Sequence, residues 1–203
     1  MMNTISDSKT KQLLEATIFK AKDPISLDKI IEKFQNEVVI NKRLLKRLIA
    51  EIQLDFEGRG VILVETGGGY SFRVNNDIQE LLAKAFENKP KNYSSALLET
   101  LALIAYKQPI TKAGISSVRG VDVNTYIMNT IIDRGWVKVV GTMEVPGRPY
   151  LYATTKAFLD NFGLKSLDEL PELKTTTLGE LKSGIEQYDI DLGSNDNAIS
   201  EKK

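Results

Sequence analysis

Ala16-Thr17-Ile18-Phe19-Lys20-Ala21-Lys22-Asp23-Pro24-Ile25-Ser26 returns 85 positions later as Leu101-Ala102-Leu103-Ile104-Ala105-Tyr106-Lys107-Gln108-Pro109-Ile110-Thr111. Each copy closes an apolar helical stretch with Lys-x-Pro-Ile-Ser/Thr. Proline has no amide proton to give a helix and clashes with the preceding turn, so it stops the helix. The hydroxyl two residues on is suited to cap the next one. Ile30 and Ile115 lie six residues after the two prolines, inside that next helix. A longer helix then runs in each copy to an Arg-Gly pair, Arg59-Gly60 and Arg134-Gly135, where the glycine is expected to be a left-handed stop. Beyond it the apolar period changes to two. Val61-Ile62-Leu63-Val64, the turn Gly67-Gly68-Gly69 and Tyr70-Ser71-Phe72-Arg73-Val74 read as one hairpin. Trp136-Val137-Lys138-Val139-Val140, a turn holding Pro146-Gly147-Arg148-Pro149, and Tyr150-Leu151-Tyr152 read as the other. The expected fold is α+β, mainly α: two tandem winged-helix domains, each of three helices plus a β-hairpin wing. The other reading of the same elements is a common small core with no ancestry shared between the halves.

The expected boundaries follow from this repeat. Residues 1–10 are a flexible N-terminus, 11–87 an N-terminal domain, 88–92 a linker, 93–173 a C-terminal domain and 174–203 a tail. A helix from about Asp77 to Glu87 precedes the linker. Two short helices, at Lys156 to Phe162 and after Ser166, are expected to close the second domain. From Gly163 onward 5 Lys face 9 Asp plus Glu, a net of −4, whereas residues 1–92 and 93–162 are each +2. The tail is therefore acidic and expected to be partly disordered, although Leu178, Leu181, Ile185 and Tyr188 keep helical spacing.

Composition removes much chemistry. The 203 residues hold no cysteine and no histidine, which excludes disulfides, thiolate or imidazole zinc sites, cysteine nucleophiles and Ser-His-Asp triads. No catalytic, cofactor-binding or metal-binding residues are assigned. A carboxylate enzyme would need paired acids, and only Asp189-Ile190-Asp191 in the tail comes near. Lys plus Arg number 27 and so do Asp plus Glu, so no global field draws the chain to nucleic acid or to a membrane. The N-terminal residues lack the apolar core of a signal peptide, and no run of about 18 apolar residues occurs. The expectation is a cytoplasmic protein that is not an enzyme.

Two helix faces are candidates for binding. The third helix of the first copy, about Asn41 to Phe56, turns Leu44, Leu45, Leu48, Ile49 and Ile52 inward and clusters Lys42, Arg43, Lys46 and Arg47 near its start. That cluster suits DNA phosphates, or is an ordinary solvated face, since Glu51, Asp55 and Glu57 follow. The matching helix of the second copy, Val123 to Asp133, has almost no positive charge and carries Tyr126 and Met128 beside its core Ile127, Ile131 and Ile132. Those two residues suit contact with a protein, or complete the core. Gly67-Gly68-Gly69 joins two strands and opens no helix, so it is read as a hairpin turn and not a phosphate cradle.

From Ser94 to Leu173 the chain resembles the segregation and condensation protein B (ScpB) family, the small accessory subunit of the bacterial SMC-kleisin complex. The residues that carry the resemblance are Ala96 through Thr111, Val118-Arg119-Gly120-Val121, Pro146-Gly147-Arg148-Pro149, Leu151-Tyr152-Ala153-Thr154-Thr155, Phe162-Gly163-Leu164 and Leu167-Asp168-Glu169-Leu170-Pro171. Residues 12–74 resemble the family more loosely. The chain departs from the family pattern at Gly141-Thr142-Met143, where a Gly-Arg pair is common, and at Ala153, where glycine is usual. The resemblance implies two winged-helix domains and a homodimer held mainly through the N-terminal one. It also implies binding to a kleisin subunit (ScpA-like), contact with SMC ATPase heads through that kleisin, and no catalysis. The implied role is chromosome condensation and partition in the cell cycle, in the cytoplasm and associated with the nucleoid, with DNA touched only weakly or indirectly and no membrane. The expected kleisin face is on the second domain: Tyr126 and Met128 on its third helix, Arg148 and Tyr150 on the wing, the last two alternatively fixing and underpinning the wing turn. The competing reading is a winged-helix DNA-binding transcription regulator using Lys42, Arg43, Lys46 and Arg47.

Overall fold

The computed structural model describes residues 6–86 and 93–172; the Asn88–Asn92 linker and the whole 174–203 tail, with Leu178, Leu181, Ile185, Tyr188 and Asp189-Ile190-Asp191, lie outside them. The chain is α+β and mainly helical, and its contacts divide it into two units. One comprises the described residues up to Leu81 together with Thr155–Pro171, and the other Leu82–Thr154.

In the first unit each helix begins where a polar side chain replaces a missing backbone partner. Ser6 accepts from the Lys9 amide and starts α1 (Asp7–Lys20). Ser26 accepts from the Lys29 amide and starts α2 (Leu27–Phe34). Asn41 accepts from the Leu44 amide at 2.9 Å and starts α3 (Lys42–Asp55). Such a cap contributes about 1 kcal/mol. The buried face of α1 is Thr10, Leu14 and Ile18, at i, i+4 and i+8. It packs with Ile30 of α2 and with Leu45, Leu48, Ile49 and Ile52 of α3. Strands β1 (Val61–Thr66) and β2 (Gly69–Val74) pair antiparallel from Val61↔Val74 to Thr66↔Gly69 and add Leu63 and Tyr70 to that core. Helix α4 (Asn76–Ala85) follows.

The second unit repeats this order. Ser94 caps α5 (Ser95–Lys107), Thr111 caps α6 (Lys112–Arg119) and Asn124 caps α7 (Thr125–Asp133). Strands β4 (Val137–Thr142) and β5 (Tyr150–Thr154) form the hairpin. The hydroxyls after both prolines cap the next helix, and Ile30 and Ile115 are both fully buried. The isoleucine after each proline also pairs with the second strand of its own hairpin. Ile25 and Tyr70 exchange two backbone hydrogen bonds, at 3.0 and 2.9 Å. In the second unit β3 (Ile110–Thr111) pairs antiparallel with β5, Ile110 opposite Tyr152, giving the strand order β3-β5-β4.

Residues 7–10, expected within a flexible N-terminus, are instead the first turn of α1, because Ser6 caps it and Thr10 is buried in the core. Two further expectations are corrected. The left-handed residue after α3 is Gly58, at φ 70°, and not Gly60; Gly135 does take that conformation. Gly60 instead leads into β1 and accepts from the Asn75 amide at 2.9 Å, closing the base of the hairpin. The second correction concerns the end of the described chain. Helix α8 (Lys156–Phe162) and the 3-10 turn Leu167–Glu169 group with the first unit instead of closing the second. The reason is a set of contacts to the first hairpin. Gly67 donates to the Leu164 carbonyl at 2.9 Å, Gly68 and Thr66 donate to the Asp160 carboxylate, and Arg73 donates to the Asp160 carbonyl.

Candidate partner-binding surface

On α7 the geometry of a helix separates the two residues singled out from sequence. Met128 and Ile131 are three apart and share the face turned to the core, where Met128 is 3% exposed. Tyr126 precedes Met128 by two residues, about 200° around the axis, and is 75% exposed. The Asn124 side chain, accepting from the Tyr126 amide at 2.9 Å, fixes the start of the helix and hence this phase. Met128 is therefore a core residue, and its expected place on a binding face is corrected; Tyr126 keeps its place on the surface.

The hairpin supplies the other two residues. Val137, Lys138 and Val139 face Thr154, Ala153 and Tyr152; a bulge then falls before Gly141, which faces Leu151. In the turn, Met143 donates to the Pro149 carbonyl and Arg148 to the Val145 carbonyl, both at 2.9 Å. Arg148 has φ 36°, in the region that favours glycine, so a bulky side chain is displayed there at a cost of about 1–2 kcal/mol. Tyr150 is 59% exposed, so it does not pack under the wing; Tyr152 is the half-buried tyrosine of β5. Burial pushes the Tyr152 hydroxyl above its usual range and the neighbouring Tyr150 adds to the effect. Val139, Val140, Met143 and Val145 are exposed beside Arg148 and Tyr150. The wing thus presents exposed apolar side chains together with Arg148, Lys138 and Glu144.

Three residues that the sequence reading passed over hold this unit together. Arg119 donates to Glu99 at 3.1 Å and to the Thr100 hydroxyl at 3.3 Å, tying α6 to α5. Arg134, read from sequence only as a helix end, lies 4.8 Å from the Tyr93 ring centroid and 5.2 Å from that of Trp136, and donates to the Tyr93 hydroxyl at 2.9 Å. The Gln108 side chain accepts from the Thr154 amide at 2.8 Å and its hydroxyl at 3.0 Å, anchoring the end of β5. The available signal was position: Arg119 and Gln108 sit inside the strings that carry the resemblance.

In the first unit Lys42, Arg43, Lys46 and Arg47 are all exposed on α3. Two of them are engaged within the unit: Lys42 lies 2.9 Å from an Asp28 oxygen and Arg47 pairs with Asp7. Such pairs are exposed and weak, yet each places a carboxylate where a phosphate would have to approach. On another side, Phe19, Phe56, Val61 and Phe72 line an open groove of about 480 Å³. Phe19 is 78% exposed there, and Arg59 lies 5.0 Å from the Phe56 ring centroid. Among the described residues no group of three or more acids is placed to hold a metal ion, and no helix is long and apolar enough to cross a membrane.

Comparison with known proteins agrees with the sequence strings. The family model of the segregation and condensation complex subunit ScpB matches residues 12–173. A segregation and condensation protein B homolog of Coxiella burnetii is 39% identical over 199 residues, covering 98% of this chain and 92% of the relative. The segregation and condensation protein B of Syntrophotalea carbinolica is 37% identical over 186 residues, covering 91% and 92%. A solved structure described as a dimer of the ScpB N-terminal domain complexed with ScpA peptide is 30% identical, covers 38% of this chain and 95% of that one, and overlays with a TM-score of 0.34. A match that runs through both units, joined to relatives of nearly the same length, places this chain in the family of the segregation and condensation complex subunit ScpB.

Proposed function

We propose that the chain is a non-enzymatic accessory subunit of a condensin-like SMC-kleisin complex, acting in chromosome condensation and partition by binding the kleisin. The single observation behind this reading is the family match across residues 12–173. In this reading the two units are tandem winged-helix domains: the first forms the homodimer and the second holds kleisin. The groove at Phe19, Phe56 and Phe72 gives the first unit an apolar surface for a second copy. Tyr126, Arg148 and Tyr150 give the second unit a partner surface, with Val139 and Met143 as its apolar floor. A kleisin segment that is unfolded alone must lose conformational entropy on binding, and buried aromatic and aliphatic area is what offsets that loss. SMC ATPase heads are then reached through the kleisin, DNA is contacted weakly or indirectly, and the protein works in the cytoplasm at the nucleoid.

The test is affinity purification of the tagged protein from its own cells in moderate salt after nuclease treatment, followed by mass spectrometry. The expected result is a kleisin and an SMC ATPase in near-stoichiometric amounts. Recovery of the protein alone, together with capture of specific DNA fragments when nuclease is omitted, would replace this reading with that of a transcription regulator.

A further inference from the structure

The three glycines of the first hairpin do more than turn a corner. A methyl group added to Gly67 would fall 2.5 Å from Leu159 Cδ1, and one added to Gly68 would overlap the Asp160 carboxylate. Both positions are bare because α8 lies directly on them. The contact is also polar and directional. Asp160 Oδ1 accepts from the Gly68 amide at 2.7 Å and from Thr66 Oγ1 at 2.6 Å. Arg73 donates to the Asp160 carbonyl, and Gly67 donates to the Leu164 carbonyl at 2.9 Å. Lys165 lies 3.8 Å from Glu65 at the rim. Thr66 is buried, and its hydroxyl lies closer to Asp160 Oδ1, at 2.6 Å, than to its other acceptor, the Gly69 carbonyl at 3.3 Å. Hydrogen bonds to an ionised acceptor are about twice as strong as neutral ones, so one carboxylate carries a large part of the attachment.

We infer that Thr66, Gly67, Gly68 and Arg73 form a docking socket for the Asp160 end of α8, and that this socket holds Thr155–Pro171 to the first unit as a non-covalent latch. The chain leaves the first unit after Leu81 and returns to it at Thr155, so the latch joins two parts of that unit that are far apart in sequence. The latch depends on Asp160 and on the absence of a side chain at Gly68. This inference does not rest on the proposed function.

The test uses the full chain with a site-specific protease sequence placed between Lys89 and Asn92. After cleavage of the otherwise unaltered protein, the two fragments are expected to co-elute in gel filtration as one species. Cleaved Asp160→Ala and cleaved Gly68→Ala are each expected to separate into two species, while the uncut variants keep the helical circular dichroism of the parent. Two variants acting from opposite sides of the contact guard against a folding failure in either. Separation of the unaltered protein on cleavage would overturn the inference, and so would fragments that stay together in both variants.

Discussion

Arg119 Nη2 lies 3.1 Å from Glu99 Oε2, in a pair whose arginine side chain is 9% exposed and whose glutamate is 24% exposed. The Arg119 Nε is buried with no hydrogen-bond partner, so the guanidinium depends on Glu99 and Thr100 alone. Removing one member of such a pair leaves the other charge buried and uncompensated. Glu99→Ala is expected to destabilise the protein by about 3 kcal/mol, and Glu99→Gln, which keeps an acceptor, by clearly less. Urea unfolding of the three proteins measures this; equal midpoints would show that α6 is held to α5 by packing alone.

The two residues of α7 have opposite expected effects. Met128→Ala opens a cavity in the core and should cost about 2–5 kcal/mol of stability. Tyr126→Ala should change stability by less than about 0.5 kcal/mol while lowering affinity for a kleisin fragment about tenfold, as loss of an exposed aromatic anchor does. Thermal melts and calorimetry on the same preparations separate the two effects. Unchanged kleisin affinity in Tyr126→Ala would remove this face from the proposed site.

Arg148 couples display to strain. Arg148→Gly should relieve the φ 36° backbone and raise stability by about 1 kcal/mol, whereas Arg148→Ala should not, because its Cβ remains. If the guanidinium meets kleisin, both variants should lose affinity alike. A stability gain in the alanine variant equal to that in glycine would mean the backbone is not strained at this position.

Phe19 offers a direct check on self-association. It is 78% exposed and meets Phe72 edge to face at 6.5 Å. Phe19→Glu would replace the most exposed ring of the groove by a second acid beside Glu15, and the expected outcome in light scattering is a shift from dimer to monomer with an unchanged melting curve. A variant that stays dimeric would move the dimer surface elsewhere.

Tyr70 gives the first unit an alkaline limit. Burial first, and then its hydrogen bond to Glu65 at 2.8 Å, hold the phenol up at about 12. In the unfolded chain it ionises near ~10. Between those values the unfolded state has released a proton that the folded state retains. The stabilisation is therefore fully present below about pH 10 and is lost as pH rises toward 12. Tyr70→Phe should remove this slope, so the urea midpoint of the parent should fall relative to the variant across that window. A constant difference would show that the hydroxyl titrates alike in both states.

The repeat, the caps and the hairpins were legible because each is decided within a few residues. Ser26 and Thr111 cap their helices in both copies since the bond runs only to the amides of Lys29 and Gly114. The inward face of α3 was legible for the same kind of reason: Leu45, Leu48, Ile49 and Ile52 recur at helical spacing and all are buried. Of the residues proposed for the partner surface, Tyr126, Arg148 and Tyr150 are exposed, but Met128 belongs to the core. Spacing gives the angle between two side chains on a helix and does not say which of them points inward.

Sequence alone determined the two-fold plan of three helices and a hairpin, the caps at Ser26 and Thr111, and the family. Tertiary structure alone decided three things that no local rule contains. The equivalence of Phe19 and Ile104 in the repeat suggests equal burial, yet Ile104 is fully buried and Phe19 is not. Helix α1 ends four residues before its proline and α5 two before its own. The buried face of α1 is Thr10, Leu14 and Ile18, and Phe19, about 100° further round the axis, lies off it. The isoleucine after each proline met the second strand of its hairpin, Ile25 as a single bridge to Tyr70 and Ile110 within the two-residue strand β3, because the hairpin lay within hydrogen-bonding distance. The segment from Thr155 to Pro171 joined the first unit because Asp160 found the Gly68 amide, a partner 92 residues away in sequence. Caps and periods are set by neighbours along the chain; the face that is buried and the unit that is joined depend on what the folded chain brings near.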